Sequence, residues 1–221
     1  LLLSSAASDV YKRQLGMFLI LPIFAIYATN LDSNPTSLQI GLALGIYGLT
    51  QAIFQIPFGM SSDYFGRKKV IYFGLLLFIV GSLIAGYSTS IEGIILGRSI
   101  QGSGAISAVL TALLADITRE EQRTKAMAII GASIGLTFAL SLVLSPWLND
   151  VIGVDGIFIL MAILSFTAFL LVYFFIKEPE IRKEKTKTSA DEFLKILKDI
   201  NLFRMNFGIF VLHATQISMF M

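Results

Sequence analysis

The 221-residue sequence contains no cysteine and a single histidine, His213. The absence of cysteine excludes disulfides, thiolate metal sites and cysteine nucleophiles, and one histidine is too few for a histidine metal cluster. Charged residues make up 14% of the chain, against about 25% in soluble domains. No G-x-x-x-x-G-K-[ST] phosphate loop occurs. The sequence therefore argues against a soluble enzyme and a nucleotide-driven motor, and we expect no cofactor and no metal.

Hydrophobic residues make up 55% of the sequence and occur in long runs. A helix that crosses about 30 Å of hydrocarbon needs about 20 mainly apolar residues. Suitable runs lie at 15–31, 38–58, 70–88, 92–115, 125–147 and 155–176, and a seventh begins near 203. We predict an all-α polytopic membrane protein with a six-helix bundle at 15–176 and a truncated seventh helix at 203–221. The third and sixth helices are almost wholly apolar, so we expect them to face lipid.

Positive charges occupy alternate connectors between these spans. The basic residues are Arg67, Lys68, Lys69, Arg119, Arg123 and Lys125, followed by Lys177, Arg182, Lys183, Lys185, Lys187, Lys195, Lys198 and Arg204. The other connectors carry only acidic charges, at Asp32, Asp150 and Asp155 with Glu92 nearby. The positive-inside rule then predicts a cytoplasmic N-terminus in a bacterial inner membrane. The net charge of +2 gives no indication of nucleic-acid binding.

Two segments differ in composition from the predicted bundle. Residues 177–202 are rich in mixed charge and end in an amphipathic pattern, which predicts a cytoplasmic basic linker with a helix on the membrane surface. Residues 1–14 place three leucines ahead of their basic residues, unlike a secretory signal. We interpret 1–14 as a non-native tail; the alternative is an ordinary N-terminal tail.

Arg98 is the most informative charge, because it lies about 10 Å inside the fourth predicted span at 1.5 Å per residue. A charge at such depth costs about 2.5–3.5 kcal/mol and should face a cavity or a partner. Gln101 lies on the same face. We predict that both residues line a substrate or proton pathway. The alternative is an arginine that only joins helices through backbone carbonyls.

Further polar residues follow helical spacing. Tyr47, Gln51 and Gln55 share a face of the second helix and are candidates for the same pathway; the alternative is a structural role. For Ser133, Thr137, Ser141 and Ser145 in the fifth helix, bonding within or between helices is the favoured interpretation. For His213 in the seventh helix two interpretations stay open, a proton carrier and a structural residue. No carboxylate lies at mid-membrane in these spans.

The connector after the second span contains Gly59, Asp63, Gly66, Arg67 and Lys68 in the order G-x-x-x-D-x-x-G-R-K. Glycines permit a tight turn, and Asp and Arg can form a charged latch near helix ends. This pattern resembles the signature between helices two and three of the major facilitator superfamily. It departs at Tyr64, where the family has a basic residue.

Other motifs extend the resemblance over residues 15–221. The run 97–105, with Arg98 and Gln101, resembles the fourth-helix motif of the superfamily. Gly131, Gly135 and Pro146 resemble the helix-five antiporter motif, with Ser145 in place of a glycine. The runs 45–59 and 123–127 resemble YajR-type bacterial inner-membrane transporters.

The resemblance implies the N-terminal half of a twelve-helix carrier, built from two inverted three-helix repeats. The substrate cavity would lie between this half and the C-terminal half of the same protein, and the halves would rock to give alternating access. It also implies pairing of Arg67 with Asp116, and contact of Asp63 with the other half. The expected partners are the lipid bilayer, a small-molecule substrate and protons, and the expected activity is proton-coupled efflux. The alternative is a polytopic membrane sensor or scaffold without transport activity.

Overall fold

The computed structural model describes residues 18–29, 31, 34–104, 106–175 and 199–218. The chain divides into two units, Leu1–Pro179 and Glu180–Met221. Every regular element in the described ranges is helical. In chain order they are α1 (Phe24–Thr29), α2 (Ser37–Phe65), α3 (Arg67–Tyr87), α4 (Ile91–Ser103), α5 (Ser107–Ile117), a 3-10 turn (Glu120–Gln122), α6 (Arg123–Phe175) and, in the second unit, α7 (Ile200–Ser218).

Four helical stretches are long and apolar enough to cross a membrane: Ser37–Phe65, Arg67–Tyr87, Ile91–Ile117 and Glu120–Phe174. The last stretch has 55 residues, more than twice the length that one crossing needs. Its helix, α6, consists of two arms that meet at Gly153, where φ is 68° and ψ is 174°. The arms correspond to the predicted fifth and sixth spans. The predicted connector at 149–154 is wrong in extent, because only Gly153 leaves the helical conformation.

The turn between α2 and α3 is as short. We expected a connector at 59–69, but α2 continues to Phe65 and α3 begins at Arg67. Gly66 alone separates them, with φ of 98° and ψ of 144°. A side chain is rarely tolerated at such a φ, which explains glycine at this position. The first residues of the connector motif are therefore helical.

Two predicted spans are interrupted. Residues 18–20 are helical, 21–23 form a turn, and α1 begins at Phe24; Pro22 in the turn cannot donate a helix hydrogen bond. The predicted span 92–115 divides into α4 and α5, and Gly104 stands between them with a non-helical ψ of 48°. Residues 177–198 of the predicted linker at 177–202 lie outside the described residues, and its last residues, 200–202, already belong to α7. The predicted seventh span corresponds to α7, which begins at Ile200.

Two apolar clusters fill the first unit. One includes Phe24, Tyr47, Phe78 and Phe158. The other includes Ile71, Leu75, Leu110, Leu113 and Val172. The helix α3 contributes to both clusters, and about half of its apolar stretch is buried. One side of α3 thus packs inside the bundle, and the other side exposes Phe73, Leu76 and Val80, which agrees with the expectation that this helix faces lipid.

The backbones of α3 and α4 approach each other closely at two glycines. A Cβ atom on Gly97 would lie 2.6 Å from the backbone nitrogen of Ala85, and one on Gly81 would lie 2.5 Å from the backbone nitrogen of Gln101. Small residues permit such approach between membrane helices. The contact fixes the position of Arg98, which directly follows Gly97 on α4.

Candidate functional site

The first unit has two chemically different ends. We call the end at Gly66, with Arg67 and Asp116, the basic end. We call the end at Glu92 and Asp155 the acidic end. Both arms of α6 start or finish at the basic end, because Arg123 Nε donates to Ala115 O at 3.2 Å and Lys68 Nζ donates to Tyr173 O at 3.2 Å.

A charged network joins α2, α3 and α5 at the basic end. Arg67 Nη1 lies 2.6 Å from Asp63 Oδ1, and Arg67 Nε lies 3.0 Å from Asp116 Oδ2. Arg67 Nη1 also donates to Ser62 Oγ at 2.5 Å, and Ser62 Oγ donates to Gly59 O at 2.6 Å. We call Ser62, Asp63, Arg67 and Asp116 the basic-end network. It contains the Arg67–Asp116 pairing that the motif implies.

The network is exposed enough to open at small cost. The side chain of Arg67 is 17% exposed, whereas those of Asp63 and Asp116 are 65% and 42% exposed. Ion pairs with solvent-exposed partners contribute about 0–1 kcal/mol each. One guanidinium serves two carboxylates, so the trio carries a net negative charge. The arrangement joins helix ends without the cost of burying an ion pair.

Lys68, the last residue of the connector motif, makes no contact with this network among the described residues. Its Nζ lies 5.7 Å from the ring centre of Tyr72 and 5.8 Å from that of Tyr173. It thus contacts α3 and the end of α6, and its one hydrogen bond to Tyr173 O binds a carbonyl in the last turn of α6. Tyr64, where the motif departs from the family pattern, is 80% exposed.

Arg98 is buried at 2% exposure. Its Nε donates to Ala43 O at 2.9 Å, its Nη2 donates to Leu44 O at 3.4 Å, and its guanidinium lies 5.1 Å from the ring centre of Tyr47. These contacts bind α4 to α2 through backbone carbonyls, as in the structural alternative. The buried Nη1 has no hydrogen-bond partner among the described residues. The pathway role of Arg98 stays a prediction.

The structure does not bring Gln101 and Arg98 to the same neighbours. Gln101 is 1% exposed, and its Nε2 donates to Ser82 Oγ at 2.7 Å and contacts Met161 Sδ at 3.3 Å. It therefore faces α3 and α6, whereas Arg98 faces α2. Three-residue spacing therefore placed the two side chains on one side of α4, but they do not contribute to a single binding site.

The second-helix stripe lies against α4 and α5. Tyr47 is 4% exposed and packs edge-on to Phe78 at 6.5 Å. Gln51 Nε2 donates to Ser107 Oγ at 3.3 Å, and Gln55 is half-buried. Sequence reasoning missed Ser107, which begins α5 directly after the break at Gly104. No periodic pattern marks Ser107, because its significance depends on that break.

The fifth-helix stripe bonds mainly within its own helix. Ser133, Thr137 and Ser141 each donate to the carbonyl four residues earlier, at 2.8, 2.6 and 2.8 Å. Ser145 instead donates to Leu19 O at 2.5 Å and so joins this arm to the first span. This geometry matches the favoured structural interpretation. A Cβ atom added to Gly131 or Gly135 would meet open space, and Pro146 is exposed within α6.

The acidic end is held by uncharged donors on carboxylates. Tyr27 donates to Asp155 Oδ1 at 2.5 Å, and Gln39 Nε2 donates to Glu92 Oε1 at 3.3 Å. A cavity of about 200 Å³ lies beside them, lined by Ile23, Ile26, Tyr27 and Asn149. No metal-binding group of His, Asp or Glu occurs among the described residues. The side chain of His213 lies outside the described residues, so its predicted role is untested.

Known proteins resemble the chain over most of its length. The family model "Major Facilitator Superfamily" matches residues 13–221. The inner membrane transport protein YajR of Escherichia coli (strain K12) is 47% identical over 210 residues, which cover 94% of this chain and 46% of that protein. The tetracycline resistance protein, class B, of Escherichia coli is 30% identical over 178 residues, 80% of this chain and 44% of that protein.

A solved structure shows the same fold. The crystal structure of the peptide transporter POT in complex with alafosfalin superposes with a TM-score of 0.70 at 14% identity, covering 97% of this chain and 46% of that chain. The chain thus spans about half the length of the proteins that it matches. It has the all-helical architecture of an N-terminal transporter half, and it is a multi-pass membrane protein that belongs to the major facilitator superfamily.

Proposed function

We propose that the chain is the N-terminal half of a secondary active transporter that exports small molecules by proton-coupled alternating access. The observation that carries this proposal is a pair of uncovered glycine-rich helix faces. Gly41, Gly45 and Gly48 on α2, and Gly131 and Gly135 on the first arm of α6, have no atom within 4 Å of the position that a Cβ atom would occupy. Such faces suit close packing of further membrane helices. A second six-helix half on these faces would enclose a pathway beside Gln51, Gln55 and Ser107.

Arg98 supports this pathway from behind. It is buried even though the uncovered faces are open, so a second half would not increase its exposure. Its bonds to Ala43 O and Leu44 O hold α2 against α4. We propose that Arg98 and Tyr47 position the α2 face that carries Gln51 and Gln55, and that the partnerless Nη1 leaves Arg98 able to change contacts during transport.

The proposal of export is supported by the name of one relative, and the proposal of proton coupling is limited by which titratable residues the spans contain. One relative is named for resistance to tetracycline, and export of an antibiotic confers resistance. The described spans hold no carboxylate at mid-membrane, so a coupling acid would belong to the second half, with His213 as a further candidate. Gly131, Gly135 and Pro146 support antiport through their resemblance to the helix-five motif, and no contact of these residues within the described part of the chain adds to that support.

The test is transport by the intact protein in inverted bacterial membrane vesicles. With an imposed proton gradient that is acid inside, entry of a substrate such as tetracycline should be coupled to the exit of protons, and the substrate should accumulate in the vesicles. Arg98→Ala should abolish accumulation by inserted protein, and Arg98→Lys should retain part of it, because the positive charge remains but the forked hydrogen-bond geometry is lost. Arg123→Gln, at an exposed arginine, is the control. A parent sequence that continues into a soluble signalling domain, or intact protein that moves neither protons nor solutes, would support a sensor or scaffold.

Orientation has its own test. We propose that the basic end faces the cytoplasm, following the positive-inside rule. The sequence has no cysteine, so single substitutions Ser61→Cys and Asn149→Cys give an unmixed signal. An impermeant maleimide should label Asn149→Cys in intact cells and Ser61→Cys only in inverted vesicles. Labelling of both from outside would contradict the span assignment.

A further inference from the structure

Lys68 lies in an aromatic recess between the start of α3 and the end of α6. Its Nζ is 5.7 Å from the ring centre of Tyr72 and 5.8 Å from that of Tyr173, and these two rings are 6.4 Å apart. Tyr72 in turn contacts Phe169 at 4.9 Å. We call Lys68, Tyr72, Phe169 and Tyr173 the lysine recess. It fixes a half-buried ammonium group at the edge of the bundle.

The charge of this ammonium is not neutralised within the described part of the chain. The ion pairs found there join Arg67 to Asp63 and Asp116, and Arg123 to Glu120. Lys68 makes one hydrogen bond, to Tyr173 O, whereas an ammonium has three donors. The aromatic rings attract the ammonium group by cation–π interaction, but they supply no counter-charge. Two donors and a full positive charge therefore remain for an anion.

The surroundings match a lipid headgroup rather than a soluble partner. The recess lies where two membrane-length helices start and finish, at Arg67 and Phe175, which is the depth of headgroups. Lys69 is exposed beside it, and Tyr173 and Phe174 are 60% and 72% exposed, as in the aromatic belts of membrane proteins. Basic recesses between membrane helices bind anionic headgroups.

We propose that the lysine recess is a binding site for the phosphate of an anionic phospholipid, with Lys68 as the ligating residue and Lys69 as a second positive charge. The phosphate would accept the remaining Lys68 donors, and the glycerol and first acyl carbons would lie on the exposed Tyr173 ring. Arg67 cannot serve this role, because two carboxylates already occupy it. The site is independent of transport, and it explains why Lys68 points away from the basic-end network.

The experiment measures lipid preference at two tryptophans of the chain in bilayers. Tyr173→Trp in a Trp147→Phe background places an indole in the recess and keeps an aromatic ring beside Lys68. In the unsubstituted chain, Trp147 is the sole tryptophan and is 59% exposed; it lies close to Asn149 near the acidic end and reports ordinary annular lipid. Fluorescence quenching by brominated phosphatidylglycerol and brominated phosphatidylcholine gives the relative binding constant at each indole.

We expect phosphatidylglycerol to be preferred about fivefold at the introduced indole, from about 1 kcal/mol per lysine near the surface, and not at Trp147. Lys68→Met keeps the apolar stem on the rings and should reduce the preference to about one, whereas Lys68→Arg should retain it. Lys125→Gln, an equal charge change at the same end, is the matched control and should have no effect.

Equal preference at both tryptophans would overturn the proposal, and this comparison needs no Lys68 variant to fold. So would a preference that survives Lys68→Met, or one that Lys125→Gln removes equally, because the cause would then be general surface charge. Inorganic phosphate in excess should not reduce the quenching. A reduction would mean that the recess binds a soluble anion instead of a lipid.

Discussion

The two ends of the bundle are joined by different physical means. Toward the acidic end, α3 and α4 are in backbone contact at Gly81 and Gly97, and buried Arg98 binds α2. At the basic end, α2, α3 and α5 are joined by side chains of the basic-end network, whose carboxylates are mostly exposed. Two helices in backbone contact would lose their van der Waals packing if they separated, and lipid would not replace it fully. Exposed ion pairs exchange readily with water. The difference indicates that the helices are held rigidly toward the acidic end, whereas their contacts at the basic end can be released.

The largest expected effect comes from disrupting the backbone contact between α3 and α4. Gly97→Val places atoms against the backbone of Ala85, where a Cβ alone would be 2.6 Å from nitrogen. Overpacking of this kind costs about 1–3 kcal/mol and occasionally more, and here the obstacle is backbone, which cannot move aside as a flexible side chain can. We expect a large fall in the thermal midpoint of the purified chain, or loss of folded protein. Gly45→Ala, where the Cβ meets open space, is the control and should change stability by about 0.5 kcal/mol or less. Equal tolerance of both changes would contradict the packing.

A smaller effect is expected at the acidic surface. Tyr27→Phe removes the hydroxyl that donates to Asp155 at 2.5 Å and keeps the ring. A hydrogen bond of this kind contributes about 1 kcal/mol, so the thermal midpoint should fall by a few degrees. Tyr87→Phe, at a tyrosine that is 75% exposed, is the matched control. If the two substitutions give equal midpoints, the Tyr27–Asp155 contact contributes nothing to stability.

The smallest effect on stability, and the clearest separation of stability from transport, is expected at the basic end. Asp116→Asn should lower stability by about 0.5 kcal/mol or less, because the pair is exposed and Asp63 still pairs with Arg67. In the intact protein the same change should impair transport, and the exchange Arg67→Asp with Asp116→Arg should restore part of it. Additive losses across the double-mutant cycle would exclude direct coupling. Glu120→Gln, on the looser 4.0 Å pair with Arg123, serves as control.

Hydropathy and charge alternation predicted the helices because they depend on length and composition. The boundaries were less accessible. Residues 59–65 are polar enough to suggest a loop, yet they continue α2, and only the φ of Gly66 ends it. The break at Gly104 was missed although Gly102 and Ser103 precede it, because small residues also occur where membrane helices pack closely. Such breaks depend on neighbours, as with Gly104 against α3.

For the site, spacing predicted that Arg98 is buried but not which neighbour it contacts. Three-residue spacing put Gln101 beside Arg98, and the packing sent them to different helices. The motif supplied the Arg67–Asp116 contact, which lies across 49 residues of chain. The motif gave no contact for Lys68, which depends on the position of α6. Contacts between helices require the crossing geometry, which periodicity does not contain.

The one-residue turn at Gly153 bears on how the protein is made. Consecutive Cα atoms are about 3.8 Å apart, so the end of the first arm of α6 and the start of the second cannot separate while both stay helical. Residues 123–175 therefore form one hairpin in the folded protein, and we expect the second arm to enter the membrane directly after the first. An epitope or glycosylation tag inserted at this turn would have to unwind helix on at least one side before it could be recognised.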